Sequence, residues 1–199
     1  MQPSNYMLDT FVAHRLSLLT SCGAPDLSAL NKRWLNTFIL TTVLRVRAPQ
    51  KTRAYVFNFL QRTEGALSSY DQGRTALLEY LSTPRNVLSP YFLALLNFEI
   101  CLAQVFQGFE LLARPSGVKP FEEGDGSIME KVERLYVDSK HMDQMIEGGK
   151  VPNEATCAIW ITNTGLESKR ASLQFDELGE LFGSMSKIGD QLAIMSPSE

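Results

Sequence analysis

Three side chains that could do chemistry share one face of a helix predicted from Ile128 to about Ile146. Arg134 and His141 are seven residues apart, which places them two turns apart on the same side, and Asp138 lies between them. An imidazole can act as general base on a ribose 2′-hydroxyl, and a guanidinium can hold the phosphate. The sequence therefore offers Arg134, Asp138 and His141 as catalytic candidates for a reaction that needs no metal.

The same face also has a purely structural interpretation. Glu130, Arg134, Asp138 and Lys140 could form a solvated surface whose i, i+4 ion pairs each contribute a few tenths of a kcal/mol. Asp138 is four residues after Arg134 and three before His141, so its carboxylate can pair with either side chain. We favour this interpretation, because an arginine and a histidine at such spacing occur often by chance.

A basic stretch with nearby aromatic residues is the second candidate, as an RNA-binding surface. Cations contact phosphates and aromatic rings stack on bases, which is how many proteins bind single strands. The alternative, which we favour, is a corner between two helices, with solvated charges and aromatic rings turned into the core. The residues concerned are Arg45, Arg47, Lys51 and Arg53, with Tyr55 and Phe57 beside them.

A predicted β-hairpin over 155–175 provides the third candidate. Trp160 lies close to a turn formed by Asn163 and Gly165, and a tryptophan there could serve as a binding platform. More often such a tryptophan covers a core, while the asparagine and the glycine only supply the turn conformation.

The residues that usually hold metals or cofactors are sparse. Three distant cysteines, Cys22, Cys101 and Cys157, predict neither a disulfide framework nor a zinc site, and His14 and His141 are the only histidines. We find no phosphate-binding loop, dinucleotide fingerprint or nucleophile elbow. The sequence thus predicts no metal, no cofactor, and a cytoplasmic protein with reduced thiols.

Charge is divided unevenly along the chain. Residues 1–120 contain 12 Lys and Arg against 7 Asp and Glu, a net charge of +5, whereas residues 121–199 contain 7 against 15, a net charge of −8. A basic half can contact nucleic acid, but the two halves can equally attract each other within a chain or between subunits. We favour the second interpretation, since it requires no further partner.

The elements that must position these residues are mainly helical. We predict one domain over 1–199, a bundle of five to six helices with a linker at 113–126 and a small C-terminal β-hairpin. At its centre we expect a helix over 89–112, capped by Ser89 and apolar on nearly all sides. The other predicted helices cover 5–20, 28–46, 52–81, 128–146 and the residues after Asp176.

The central helix is long enough to span a bilayer, but a membrane span is the weaker alternative. Asn97, Glu99, Gln104 and Gln107 interrupt it, and one carboxylate near the middle costs roughly 2.5 to 3.5 kcal/mol on insertion. We therefore expect no membrane contact. We predict a homodimer, because a seam of largely apolar residues runs from Val56 to Leu81 and the charge is divided between the two halves of the chain. RNA or a protein is the further partner that we expect.

Arg134, the six residues LYVDSK and His141 resemble the motif of the higher-eukaryote-and-prokaryote nucleotide-binding (HEPN) superfamily. The resemblance implies a compact, often dimeric helical bundle in which Arg134 and His141 would meet their symmetry mates and cut RNA without metal, as in toxins or antiviral defence factors. Leu135 departs from the pattern, because active members commonly carry a polar residue there. We therefore expect a non-catalytic interaction or regulatory module of HEPN-like type, with a metal-independent ribonuclease as the alternative.

Overall fold

Two long antiparallel helices, α3 and α4, form the centre of the molecule in the computed structural model, which describes residues 3–43, 49–151 and 156–194. Five shorter helices and a three-stranded sheet surround this pair. The helices are α1 Asn5–Phe11, α2 Trp34–Phe38, α3 Gln50–Ser82, α4 Ser89–Ser116, α5 Ile128–Lys140, α6 Met142–Glu147 and α7 Phe175–Ala193, and the strands are β1 Ile159–Ile161, β2 Gly165–Ser168 and β3 Ser172–Gln174. The predicted fold class, a mainly α bundle with a small C-terminal antiparallel sheet, is confirmed.

The predicted seam of α3 packs inside the chain, against α4 and α7. Leu60, Leu67 and Leu77 are buried. The ring of Tyr70 packs edge-on against the rings of Phe98 and Phe182. Because these residues already form the core, the seam is not a free surface for a second subunit. The dimer prediction therefore needs a different surface.

Helix α3 runs unbroken from Gln50 to Ser82, although it contains Gly65 and Gly73, and small residues can kink a helix. Gly73 is not a break but a point of close approach, since a Cβ there would lie 3.1 Å from the ring of Phe98. Helix α4 also extends beyond its predicted end, to Ser116, and it begins with Ser89 as its first residue rather than as its N-cap. Gly117, at φ +69°, ends α4 in the left-handed conformation that glycine adopts most easily.

The first predicted helix, over 5–20, is wrong in its second half. Helix α1 ends at Phe11, and Arg15 adopts a positive φ of 58° before a short 3₁₀ turn. The carboxylate of Asp9 accepts hydrogen bonds from the backbone N–H and the hydroxyl of Ser17, at 2.6 and 2.5 Å. This side-chain bonding replaces helical bonds and turns the chain back.

The second predicted helix, over 28–46, is also divided. The chain forms a 3₁₀ turn at Ser28–Leu30, then α2, then a π-helical turn at Ile39–Val43, and residues 44–48 lie outside the described residues. The apolar spacing of this segment places Trp34, Phe38, Ile39 and Leu44 toward the core. Trp34 and Phe38 are buried, whereas Ile39 is exposed and Leu44 lies outside the described residues.

The predicted hairpin is instead a meander of three strands. A middle strand, β2, begins at Gly165, which was predicted to belong to the turn. Strand β2 pairs antiparallel with both β1 and β3. The sheet packs on α5 and α7, and the hydroxyl of Tyr91 from α4 accepts a hydrogen bond from the backbone N–H of Ile161 at 3.4 Å. Residue 155, the predicted start of the hairpin, lies outside the described residues.

Helix α4 keeps one apolar side uncovered. Phe92, Leu93, Leu96 and Ile100 are between 39 and 52 % exposed, although Phe98 and Leu102 on the opposite side are fully buried. By length and composition alone, α4 is the one described helix that could cross a membrane, and the core helix of a soluble protein passes the same test.

Candidate functional site

A cleft of about 830 Å³ lies between the C-terminal half of α4, the loop at 117–126 and helix α5. Its size falls within the range of small-ligand sites. It contains Arg134, one of the predicted catalytic residues, but His141 and Asp138 do not line it. The lining residues are Phe106, Glu110, Lys119, Pro120, Phe121, Glu123, Glu130, Glu133, Arg134 and Arg170.

Glu130 forms the base of this cleft and fastens the loop to α5. Its Oε1 accepts hydrogen bonds from the backbone N–H of Gly124 at 2.6 Å and from Arg134 Nη2 at 2.7 Å. Its Oε2 accepts from the backbone N–H of Gly126 at 2.8 Å. Both glycines have positive φ values, which lets their N–H groups converge on one carboxylate.

Residues 127–130 have the spacing of a capping box, and one half of that motif is present at the start of α5. The hydroxyl of Ser127 accepts from the backbone N–H of Glu130 at 3.2 Å. The backbone N–H of Ser127, however, donates to Asp125 Oδ1 at 2.7 Å instead of to Glu130. Glu130 is thus free to hold Arg134, which sits one turn further along the helix.

Asp138 is fully buried and forms an ion pair with Arg170, from the turn between β2 and β3. It pairs with neither Arg134 nor His141, although the spacing along the helix allows both. Arg170 also donates to the backbone carbonyl of Arg134 at 3.5 Å. Asp138 therefore faces the interior and joins α5 to the sheet, and it is not part of a solvated face.

His141 ends α5 and separates it from α6, so the predicted helix over 128–146 is two helices. Its backbone N–H still donates to the carbonyl of Val137 at 2.9 Å, but its φ of −108° leaves the helical range. The side chain is half-buried. His141 therefore lies at the end of α5, two turns after Arg134, and within the described part of the chain no hydrogen bond or ion pair joins the two side chains.

The bonds to Glu130 lower its pKa, with the N–H groups of Gly124 and Gly126 as the largest causes. A carboxylate whose pKa is lower in the folded state than in the unfolded chain stabilises the fold. This stabilisation is complete at pH values above the ordinary pKa, near 4.5, and it is lost as the pH falls through the lower pKa of the folded state. We expect Glu130→Gln to unfold at lower temperature than the wild type at pH 7. The difference should shrink towards pH 3, as followed by circular dichroism. A constant difference over that range would contradict this role of the Glu130 charge.

The structure describes only two of the four predicted RNA-binding residues. Arg45 and Arg47 lie outside the described residues, Lys51 is exposed at the start of α3, and Arg53 is half-buried. Phe57 packs against the core, as the structural alternative expected. Lys51 and Tyr55 instead line a shallow groove of about 280 Å³, together with apolar residues of α4 and α7.

Trp160, Asn163 and Gly165 serve the structure. Trp160 is buried, with the ring of His14 packed edge-on at 4.8 Å between centroids. Asn163 Oδ1 accepts from the backbone N–H groups of Thr20 and Ser21 at 2.8 and 3.0 Å, which holds the loop after the first 3₁₀ turn. Trp160 is therefore a cover for the core and not an open platform.

Cys101 and Cys157 are both buried. Burial raises the pKa of the Cys101 thiol and also that of Cys157, so neither side chain tends to ionise near neutral pH. Within residues 3–43, 49–151 and 156–194, no three side chains of the types that bind metals lie close enough to hold an ion.

Comparisons with protein-family models, curated proteins and solved structures give no match. The roles of the site residues therefore follow from their contacts alone.

The residue that sequence reasoning missed is Arg170, which is 32 positions after Asp138 and reaches it only through the fold of the sheet. Its position after a strand, next to Lys169, gave no periodic signal.

Proposed function

We propose that the chain is a non-catalytic helical interaction module of HEPN-like type that works as a cytoplasmic homodimer. The uncovered apolar side of α4 carries this proposal. The engagement of Arg134 with Glu130, and of Asp138 with Arg170, supports its non-catalytic part. A guanidinium and a carboxylate already held by partners inside the chain are poorly placed to exchange those partners for a substrate during a reaction.

The apolar side of α4 has a size that suits an interface. Phe92, Leu93, Leu96 and Ile100 lie within one third of the helix circumference and together expose roughly 300 Å². Isolated exposed apolar residues are ordinary, whereas a contiguous patch of this size matches the largest patch of a typical monomer, which is often functional. A standard interface buries about 800 Å² per partner, so this stripe would form its apolar centre.

A second copy of the chain is the occupant that we propose for this surface. Residues 86–98 contain no charged residue, so a two-fold contact centred on Phe92, Leu93 and Leu96 places no like charges at its centre, and Glu99 lies at its edge. Two copies of α4 can also pack along their length, as helices do in bundles. The pairing would cover the one large apolar area that the fold leaves open on α4.

The mass of the protein in solution tests this proposal. Sedimentation equilibrium at about 10 to 100 µM should give twice the monomer mass of 22.3 kDa. We expect the combined variant Leu93→Glu and Leu96→Glu to be monomeric and folded, because each carboxylate would be buried against its symmetry mate. Leu40→Glu is the matched control, since Leu40 is similarly exposed but lies on the π-helical turn and not on α4.

A wild-type protein that stays monomeric over this range would overturn the dimer proposal. Binding of the monomer to phospholipid vesicles through Phe92 and Leu96 would instead assign the stripe to a membrane surface. Equal weakening of the dimer by Leu40→Glu would also argue against a specific α4 interface.

A metal-independent ribonuclease is the second candidate, and one observation favours it. The side chain of Arg134 is 40 % exposed and lines the cleft of about 830 Å³, where it could reach a phosphate despite its bond to Glu130. His141 would act as the base and would have to come from the second subunit or from a rearranged helix junction.

A further inference from the structure

The cleft between α4, the loop at 117–126 and α5 has more negative than positive charge available to a ligand. Two of its cations are already matched, Arg134 by Glu130 and Arg170 by the buried Asp138. Three lining carboxylates, Glu110, Glu123 and Glu133, form no hydrogen bond or ion pair with the described part of the chain, and Lys119 is the only other lining cation. Counting these unmatched side chains, the cleft carries a net charge of −2.

These carboxylates come from three separate elements and line the cleft together with two aromatic rings. Glu110 belongs to α4, Glu123 to the loop and Glu133 to α5, while Phe106 and Phe121 are the aromatic lining residues. Aromatic rings attract ammonium and guanidinium groups through their negative faces and also accept the methylene stems of lysine and arginine. The cleft therefore combines both features that bind organic cations.

Glu133 lies near two guanidinium groups but is also partly buried. Burial raises its pKa, and the nearby guanidinium groups of Arg170 and Arg134 offset this only in part. A cation placed in the cleft would stabilise the ionised form of Glu133. A phosphate would meet repulsion from the same group.

We propose that this cleft binds an extended organic cation with two or more ammonium or guanidinium groups, supplied by a basic segment of a protein or by a free polyamine. The proposal rests on the interaction-module function, because it names the chemistry of a partner beyond the second copy. It uses a different surface from the α4 stripe. Its volume accommodates two or three long basic side chains, or one polyamine.

Isothermal titration of the 199-residue chain at low salt tests the proposal. The probes are a capped peptide of alternating lysine and glycine, spermidine, and the same peptide with glutamate in place of lysine. We expect the lysine peptide or spermidine to bind, and the combined variant Glu110→Gln and Glu133→Gln to weaken that binding by about tenfold. The control variant Glu147→Gln and Glu180→Gln changes the net charge equally at exposed positions outside the cleft, and it should change the affinity by less than about twofold.

The two sources of the cation are distinguished by their relative affinities. Tighter binding of the lysine peptide identifies a protein segment, and tighter binding of spermidine identifies a polyamine. The proposal is overturned if neither probe binds, if both pairs of variants weaken binding equally, or if the glutamate peptide binds instead. The monomeric α4 variant should bind the probe as the wild type does, so that failure of the dimer and failure of this site are recognised separately.

Discussion

Replacing Arg170 with methionine is expected to lower the free energy of unfolding by about 3 kcal/mol, because the change leaves the Asp138 carboxylate buried without a countercharge. Methionine retains most of the apolar stem of arginine, so lost packing contributes little. Urea unfolding followed by circular dichroism at pH 7 measures the effect. The loss should be accompanied by looser attachment of the sheet to α5.

Two further variants decide whether the buried charge is the cause. Adding Asp138→Leu to Arg170→Met should recover most of the lost stability, since an apolar pair can replace a buried ion pair at little cost. Lys32→Met breaks the ion pair with Asp190, whose side chains are 49 and 47 % exposed, and should cost less than about 1 kcal/mol. A double variant as unstable as Arg170→Met alone would contradict this explanation.

Replacing Gly165 with alanine should cost at least about 3 kcal/mol, because β2 and β3 approach too closely there for any side chain. A Cβ at this position would lie 2.1 Å from the carbonyl oxygen of Leu173 and 2.9 Å from the Cα of Gln174. Both atoms belong to the backbone, so the strand must move and its pairing must weaken. Thermal unfolding by calorimetry measures the loss.

Gly183 provides the matched control for that substitution, with an expected effect of opposite sign. It lies inside α7, and a Cβ added there would meet no atom within 4 Å. Gly183→Ala should raise the free energy of unfolding by about 0.5 to 1 kcal/mol, because alanine loses less backbone freedom in a helix. Similar losses in both variants would show that crowding between β2 and β3 is not the reason.

Long apolar periodicity predicted the helices well wherever tertiary packing reinforced it. Residues 52–81 and 89–112 were recognised because their apolar positions recur over many turns, and both helices extend only slightly beyond these limits. The first two helices were overestimated. There, the local bonds of Asp9 to Ser17 and a change to 3₁₀ and π turns override a short periodic pattern.

The candidate site was predictable as a position but not as a set of contacts. The sequence identified the charged residues of α5, but it predicted that Glu130 and Asp138 lie on a solvated face. Both side chains are buried. Helical spacing gives relative directions only, and the partners come from the loop glycines and from Arg170, which are brought near by the fold. The open side of α4 was missed because its residues look the same as core residues in sequence.

Cleavage of RNA by the purified protein, in the presence of EDTA, tests the central claim that the chain is a non-catalytic module. We expect no cleavage above background by the wild type, and none by His141→Ala or Arg134→Met. The variants should remain folded and dimeric, which sedimentation equilibrium verifies on the same samples. Cleavage by the wild type that disappears in both variants would contradict the account and would establish a metal-independent ribonuclease centred on Arg134 and His141.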